Sequence, residues 1–282
     1  MNNKIIKPIV ISSIVILLAV VAIFGSIDKK SEEYTGEAFK RALITFGIAR
    51  GLNGVISVAQ GTEVALHPAG FGVNFTPGQI LDPINDLVEQ FSWIMLASSA
   101  SLGIQKVLLT ISSTLFVTVV FVFALMALLL SVWRENLFTP QVKRFITLST
   151  VIVIFIRFSV PVAALASEAM YQLFLLDQYV ESSDNLEKTR TEISKINAEE
   201  RQSYNNEEEG LVDMAKRILN STTESISINS QIEKYQQIAS DTTKDAINII
   251  VVFVLQTILM PLLFLWLTYR ALRLVWIKFL PV

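Results

Sequence analysis

The sequence predicts a mainly α integral membrane protein with about four transmembrane helices, a small strand-containing outer segment and an extramembrane helical hairpin. Three observations carry this: a composition short of charge, four long apolar stretches, and an uneven spread of basic residues around them. Of 282 residues, 52% are hydrophobic and 17% charged, where a soluble domain carries about a quarter charged residues. Mean hydropathy is +0.53, so the missing charge points to lipid rather than to a large water-soluble core.

A helix needs about 20 mostly apolar residues to cross the hydrocarbon core. The first stretch runs from Pro8 to Ile27, the second from Val107 to Trp133 without a charge. The third begins at Phe145 and stays apolar to about Ala166, interrupted by Arg157, and the fourth runs from Ala246 to about Thr268. Lys4 and Lys7 before the first stretch suit a signal sequence. The apolar run is long for one, however, and Ala22-Ile-Phe-Gly25-Ser26 lacks small residues at both cleavage positions. An uncleaved signal anchor is the favoured reading.

Positive charge near span ends orients the chain. The start, the 134–144 loop and the tail carry Lys4, Lys7, Arg134, Lys143, Arg144, Arg270, Arg273 and Lys278 against one acid, Glu135. Segments 28–106 and 177–245 carry fourteen basic and twenty-three acidic residues. Trp133, Trp266, Tyr269 and Trp276 cluster as an aromatic belt on the basic side. Both termini are therefore expected in the cytoplasm, in a multi-pass protein of the cell inner (plasma) membrane. The implied organisation is an anchor span (1–27), an outer segment (28–106), a second span (107–133) and an inner loop (134–144). A third span (145–176), an outer acidic hairpin (177–245), a fourth span (246–268) and a basic inner tail (269–282) follow.

Within 28–106, Thr35 can cap a helix that Asn53-Gly54 would stop. Phe39, Leu43, Phe46 and Ala49 fall at helical spacing, suiting either a helix along the membrane surface or one packed on its neighbours. Gly47 and Gly51 form a weak small-xxx-small pair. Val55–Ala59, Glu63–Leu66 and Phe71–Phe75 read as two or three short strands with glycine turns. Pro77-Gly78 reads as a turn, and Asp82-Pro83 opens a second helix. Its residues 84–105 lie on the surface or enter the membrane as a re-entrant segment, which requires protein or a water cavity around its irregular ends.

The hairpin segment 177–245 has net charge −7. Leu186, Ile193 and Ile196 mark one arm, and Ile228, Ile232, Tyr235, Ala239 and Thr242 the other, about a turn at 203–210. Leu211 to Ile218 suggests a short connecting helix, and Ser221 with Glu224 fits a capping box that restarts the second arm. This seam is too sparse for a self-sufficient coiled coil, so the hairpin is expected to lean on another copy, on residues 28–106, or on a partner, the alternative being a solvated acidic stalk.

The candidate intramembrane polar site is Arg157, Glu168, Asn248 and Gln256. Arg157 lies thirteen residues beyond Arg144, roughly 20 Å along a helix and near mid-bilayer, where an unpaired arginine costs at least about 2.5–3.5 kcal/mol. Gln256 and Asn248 are candidate partners, with Asp82, Asp86 and Glu89 if their helix dips inward. Glu168 shares its face but lies about 16 Å away along the helix. The plainer reading is that Arg157 fixes helix packing or snorkels. Pro161 and Pro261 are candidate helix kinks, and broken spans with an internal charge occur in transporters.

No chemistry converges. There is no cysteine and one histidine, His67, which excludes thiolate and multi-imidazole metal sites. Beside Pro68, His67 suits an exposed turn better than a proton-accepting role. Gly70, Gly72 and Gly78 lack phosphate-loop spacing. No catalytic residue, cofactor or metal is expected, and the charge balance gives no reason to expect nucleic acid. The chain reads as a structural or interaction subunit of a cell-envelope complex, embedded in the bilayer and docking a protein partner or a second copy through its outer hairpin. The alternative is an oligomeric channel or transporter with Arg157 lining the path.

Overall fold

The computed structural model describes residues 3–61, 64–66, 73–75, 77–134, 137–205 and 221–279. Among them the chain is almost wholly helical. Helix α1 spans Asn3–Phe24, α2 Ser26–Gln60, α3 Asp82–Ser112 and α4 Leu115–Trp133. Helix α5 (Pro140–Met170) passes through one π-helical turn, Tyr171–Leu175, into α6 (Leu176–Asn205). Helix α7 (Ser221–Val254) passes through a second, Leu255–Leu259, into α8 (Met260–Phe279). Five helical runs are long and apolar enough to cross a bilayer: Ser26–Gln60, Gln79–Ser112, Leu115–Trp133, Pro140–Ala198 and Ile232–Leu274. The chain is thus a mainly α protein compatible with the membrane.

Helix boundaries depart from the sequence reading where small polar residues act as punctuation. The first apolar stretch ends at Gly25, whose φ of +63° suits only glycine without strain, leaving a shorter apolar helix, Pro8–Phe24. The second divides at Ser112-Ser113-Thr114, whose hydroxyls donate to the carbonyls of Leu109, Thr110 and Ile111 at 2.9–3.1 Å. Such back-bonding competes with the helix ladder. Thr114 then adopts extended backbone and caps α4 through Val117 N. Residues 107–112 therefore belong to α3. Thr139 caps α5 in the same way, with Pro140 in its first turn.

The larger correction concerns 28–106. Helix α2 runs unbroken through Asn53, Gly54 and the pentad Val55–Ala59, which is helical and not a strand. Its buried face is Ser31, Thr35, Ala38, Ala42, Thr45, Ala49, Leu52, Ile56 and Ala59, spaced alternately four and three. Leu43, on the apolar face read from the spacing, is exposed. A seam of such small residues lets a helix approach its neighbours closely. It is a packing face. Of the glycine pair, only Gly51 meets a close neighbour: a Cβ there would lie 2.9 Å from Arg190 Cδ. The strands that do form are Val64–Leu66 and Val73–Phe75, paired antiparallel with Val64 opposite Phe75. Pro77–Leu81 is a short 3-10 helix leading into α3. His67, Gly70, Gly72 and the 206–220 turn and connecting helix lie outside the described residues.

The chain forms two compact units. The first comprises Met1–Lys40, Ser99–Phe174 and Val254–Val282. Val15, Ala22, Phe121 and Leu125 centre its core against Val153, Ile154 and Phe158, with Phe121 and Phe158 edge to face at 5.5 Å. Hydroxyls and indoles supply cross-helix bonds: Thr150 Oγ1 to Ala124 O at 3.1 Å and Trp133 Nε1 to Ser12 Oγ at 2.8 Å. Between lipid-facing helices such packing and hydrogen bonding supply the association that water exclusion cannot.

The second unit comprises Arg41–Ser98 and Leu175–Phe253. Here α2 and α3 pack with α6 and α7 as a four-helix bundle. Helix α3 buries Ile84, Val88, Phe91, Met95 and Ser98 at the same alternating spacing, and α7 buries Tyr235, Ile238, Thr242, Asp245, Ile249 and Val252. Helix α6 contributes Tyr179, Ser182, Leu186, Ile193 and Asn197. Side-chain hydrogen bonds cross the bundle: Thr45 with Tyr179 at 3.2 Å, Asn53 Nδ2 to Asn85 Oδ1 at 2.9 Å, and Asn197 Nδ2 to Val55 O at 2.9 Å. The acidic hairpin thus leans on residues of the 28–106 segment.

Candidate functional site

Arg157 belongs to the first unit and is almost wholly buried. Its guanidinium forks onto Asp28, with Nη1 2.7 Å from Oδ1 and Nη2 2.5 Å from Oδ2, and Nη2 also reaches Ala22 O at 3.3 Å. The Phe158 ring lies 5.5 Å from Cζ. None of the partners expected from the sequence takes part. Local structure explains the change. Gly25 ends α1 with a left-handed turn, so Asp28 falls in the first turn of α2. Ala22 O lies in the last turn of α1. The positive N-terminal end of α2 favours the carboxylate, and the negative C-terminal end of α1 favours the guanidinium. One arginine thus ties α5 to the corner between α1 and α2, at the end of the first apolar run and not at its middle.

This geometry is that of a clamp. A bidentate arginine–carboxylate pair is short, directional and charge-assisted, and pairing offsets the desolvation of both ions. Asp28 was missed because the first span had been read as unbroken through Ile27. Glycine after an apolar run, with an acid three residues on, was the available signal.

Glu168 and Gln256 also lie in the first unit and do not touch Arg157. Together with Thr35, Gln105 and Ser167 they line a cavity of about 10 Å³. Gln172 Nε2 donates to Glu168 Oε1 at 2.7 Å. Asn248 lies in the second unit, donating to Ser182 Oγ at 3.2 Å. The four expected site residues therefore separate into a clamp, a cavity and a bundle contact.

Both prolines lie within helical runs. Pro161 sits inside continuous α5, and its own carbonyl accepts from Ser31 Oγ at 3.0 Å. Pro261, second in α8, has no N–H to offer the preceding turn, and Ser101 Oγ donates to Thr257 O at 3.3 Å. Side-chain hydroxyls commonly re-satisfy carbonyls freed by proline in membrane helices. Among the described residues, no three His, Cys, Asp or Glu side chains gather as metal ligands. No protein family, curated protein or solved structure matches this chain.

Proposed function

We infer that the chain is a membrane-anchored interaction subunit of a cell-envelope complex, with α6 and α7 as its docking element. The observation that carries this reading is the bundle of the second unit. Its apolar seams are filled, while Glu181, Asp184, Glu192, Glu233 and Asp241 face outward. A firm, acidic, helical surface suits a partner with a basic face. The charge of α6 and α7 belongs in water, and residues 41–60 of α2 and 82–98 of α3 fall in the same unit, so we take α1, α4, α5 and α8 as the spans. With basic ends inside, both termini are cytoplasmic and the bundle is outer, in an inner-membrane protein.

The clamp argues against the channel alternative, since Arg157 is buried and occupied by Asp28 and Ala22 O. The test is a triple reversal, Asp184→Lys, Glu233→Lys and Asp241→Lys, in crosslinked cells. Loss of the crosslinked partner band, with membrane insertion unchanged, is expected. Retention of the band would refute docking through this face. For the alternative, Arg157→Leu that still assembles but abolishes ion flux in vesicles would favour a conducting role.

A further inference from the structure

The cavity beside Glu168 is not accounted for by the clamp or by docking. It is walled by Thr35 and Ala38 of α2, Gln105 of α3, Ser167 and Glu168 of α5 and Gln256 of the π-turn. Gln256 is 3% exposed and Ser167 5%. Gln256 Oε1 and Ser167 Oγ have no hydrogen-bond partner. Leaving a buried polar group unsatisfied costs about 1–3 kcal/mol, so two orphaned oxygens at one cavity call for an occupant. The lining is rich in oxygen: a carboxylate, two hydroxyls besides the tyrosine phenol, and two amides. No basic side chain is among the lining residues.

We propose that this cavity is a monovalent cation site, holding one sodium ion between the Glu168 carboxylate, Gln256 Oε1 and Ser167 Oγ. A single carboxylate with neutral oxygens suits charge +1. A hard divalent ion seeks more carboxylate ligands, and the described residues offer no such group. At about 10 Å³ the space is at the lower limit for a water molecule, which needs on the order of 10–15 Å³, whereas a bare sodium ion is smaller. The π-turn Leu255–Leu259 has a consequence here: it rotates Gln256 and Thr257 together into the buried face. Single π-turns inside α-helices frequently mark functional sites. Bound there, the ion joins α5 to the π-turn through one point of charge.

The test is thermal unfolding of the purified full chain in detergent, titrating sodium chloride against choline chloride at constant ionic strength. A saturable rise in Tm of about 2–3 °C at ten times the dissociation constant is expected, with potassium less effective. The rise should vanish in Gln256→Leu, which keeps the volume and removes the oxygen, and weaken at least tenfold in midpoint in the milder Ser167→Ala. Equal unfolding in sodium, potassium and choline would overturn the proposal and leave the cavity to water. A sodium response that persists in both variants would equally overturn it, placing the ion elsewhere. The wild-type comparison decides even if Gln256→Leu does not fold.

Discussion

At the scale of single residues, Arg157 and Asp28 hold the corner between α1 and α2 against α5. Their side chains are 1% and 14% exposed, so removing either partner leaves a charge mostly out of water. Arg157→Leu is expected to cost about 3 kcal/mol, the lower end for breaking a buried pair because Asp28 keeps some solvent. Arg157→Leu with Asp28→Leu should cost less than the two single changes together. A double-mutant cycle by denaturant unfolding in detergent checks this. Additive effects would mean the fork contributes no coupling. Gly25 is the residue that makes the fork reachable. At φ +63°, Gly25→Ala should lose about 1–2 kcal/mol and loosen Asp28 with it. Arg157 was visible in the sequence because an arginine inside an apolar run is rare. Its partner was not, because that depended on one glycine's backbone angle.

At the scale of elements, small residues set what packs. The α2 seam consists largely of alanine and threonine, so a search for large apolar residues finds Leu43 and Ile44, which are the exposed side. The same bias made Val55–Ala59 look like a strand, although Ile56 and Ala59 continue the helical seam. Ala49→Leu should therefore cost about 1–3 kcal/mol by overpacking, while Ile44→Ala should change stability by less than about 0.5 kcal/mol. Comparing the two variants' unfolding midpoints checks which face is buried. Equal losses would contradict the assignment. Helix α6 shows a second effect that spacing alone conceals. Tyr171, Leu175 and Tyr179 follow one another at four-residue steps through the π-turn, whose extra residue keeps the seam facing inward.

At the scale of the whole molecule, composition and the apolar runs made the helical, membrane-compatible class legible, because the bilayer imposes length and hydropathy directly. The span count was less legible. Ser26–Gln60 and Gln79–Ser112 are apolar enough to cross, yet both contribute to the unit that contains the charged α6. Length and hydropathy cannot separate a small-residue packing seam from a lipid-facing one; what each helix packs against can. The triple charge reversal belongs at this scale too, since it tests a surface assembled from two helices distant in sequence.

The most direct measurement is accessibility of single cysteines in intact cells, which the absence of native cysteine makes simple. Ser57 in α2, Ser194 in α6, Ser240 in α7 and Gln141 at the start of α5 are all exposed. With a membrane-impermeant maleimide, labelling at the first three positions and protection at Gln141 is the predicted pattern. Protection of Ser57 alone would put α2 in the bilayer. Labelling confined to Gln141 would invert the protein and place the bundle in the cytoplasm.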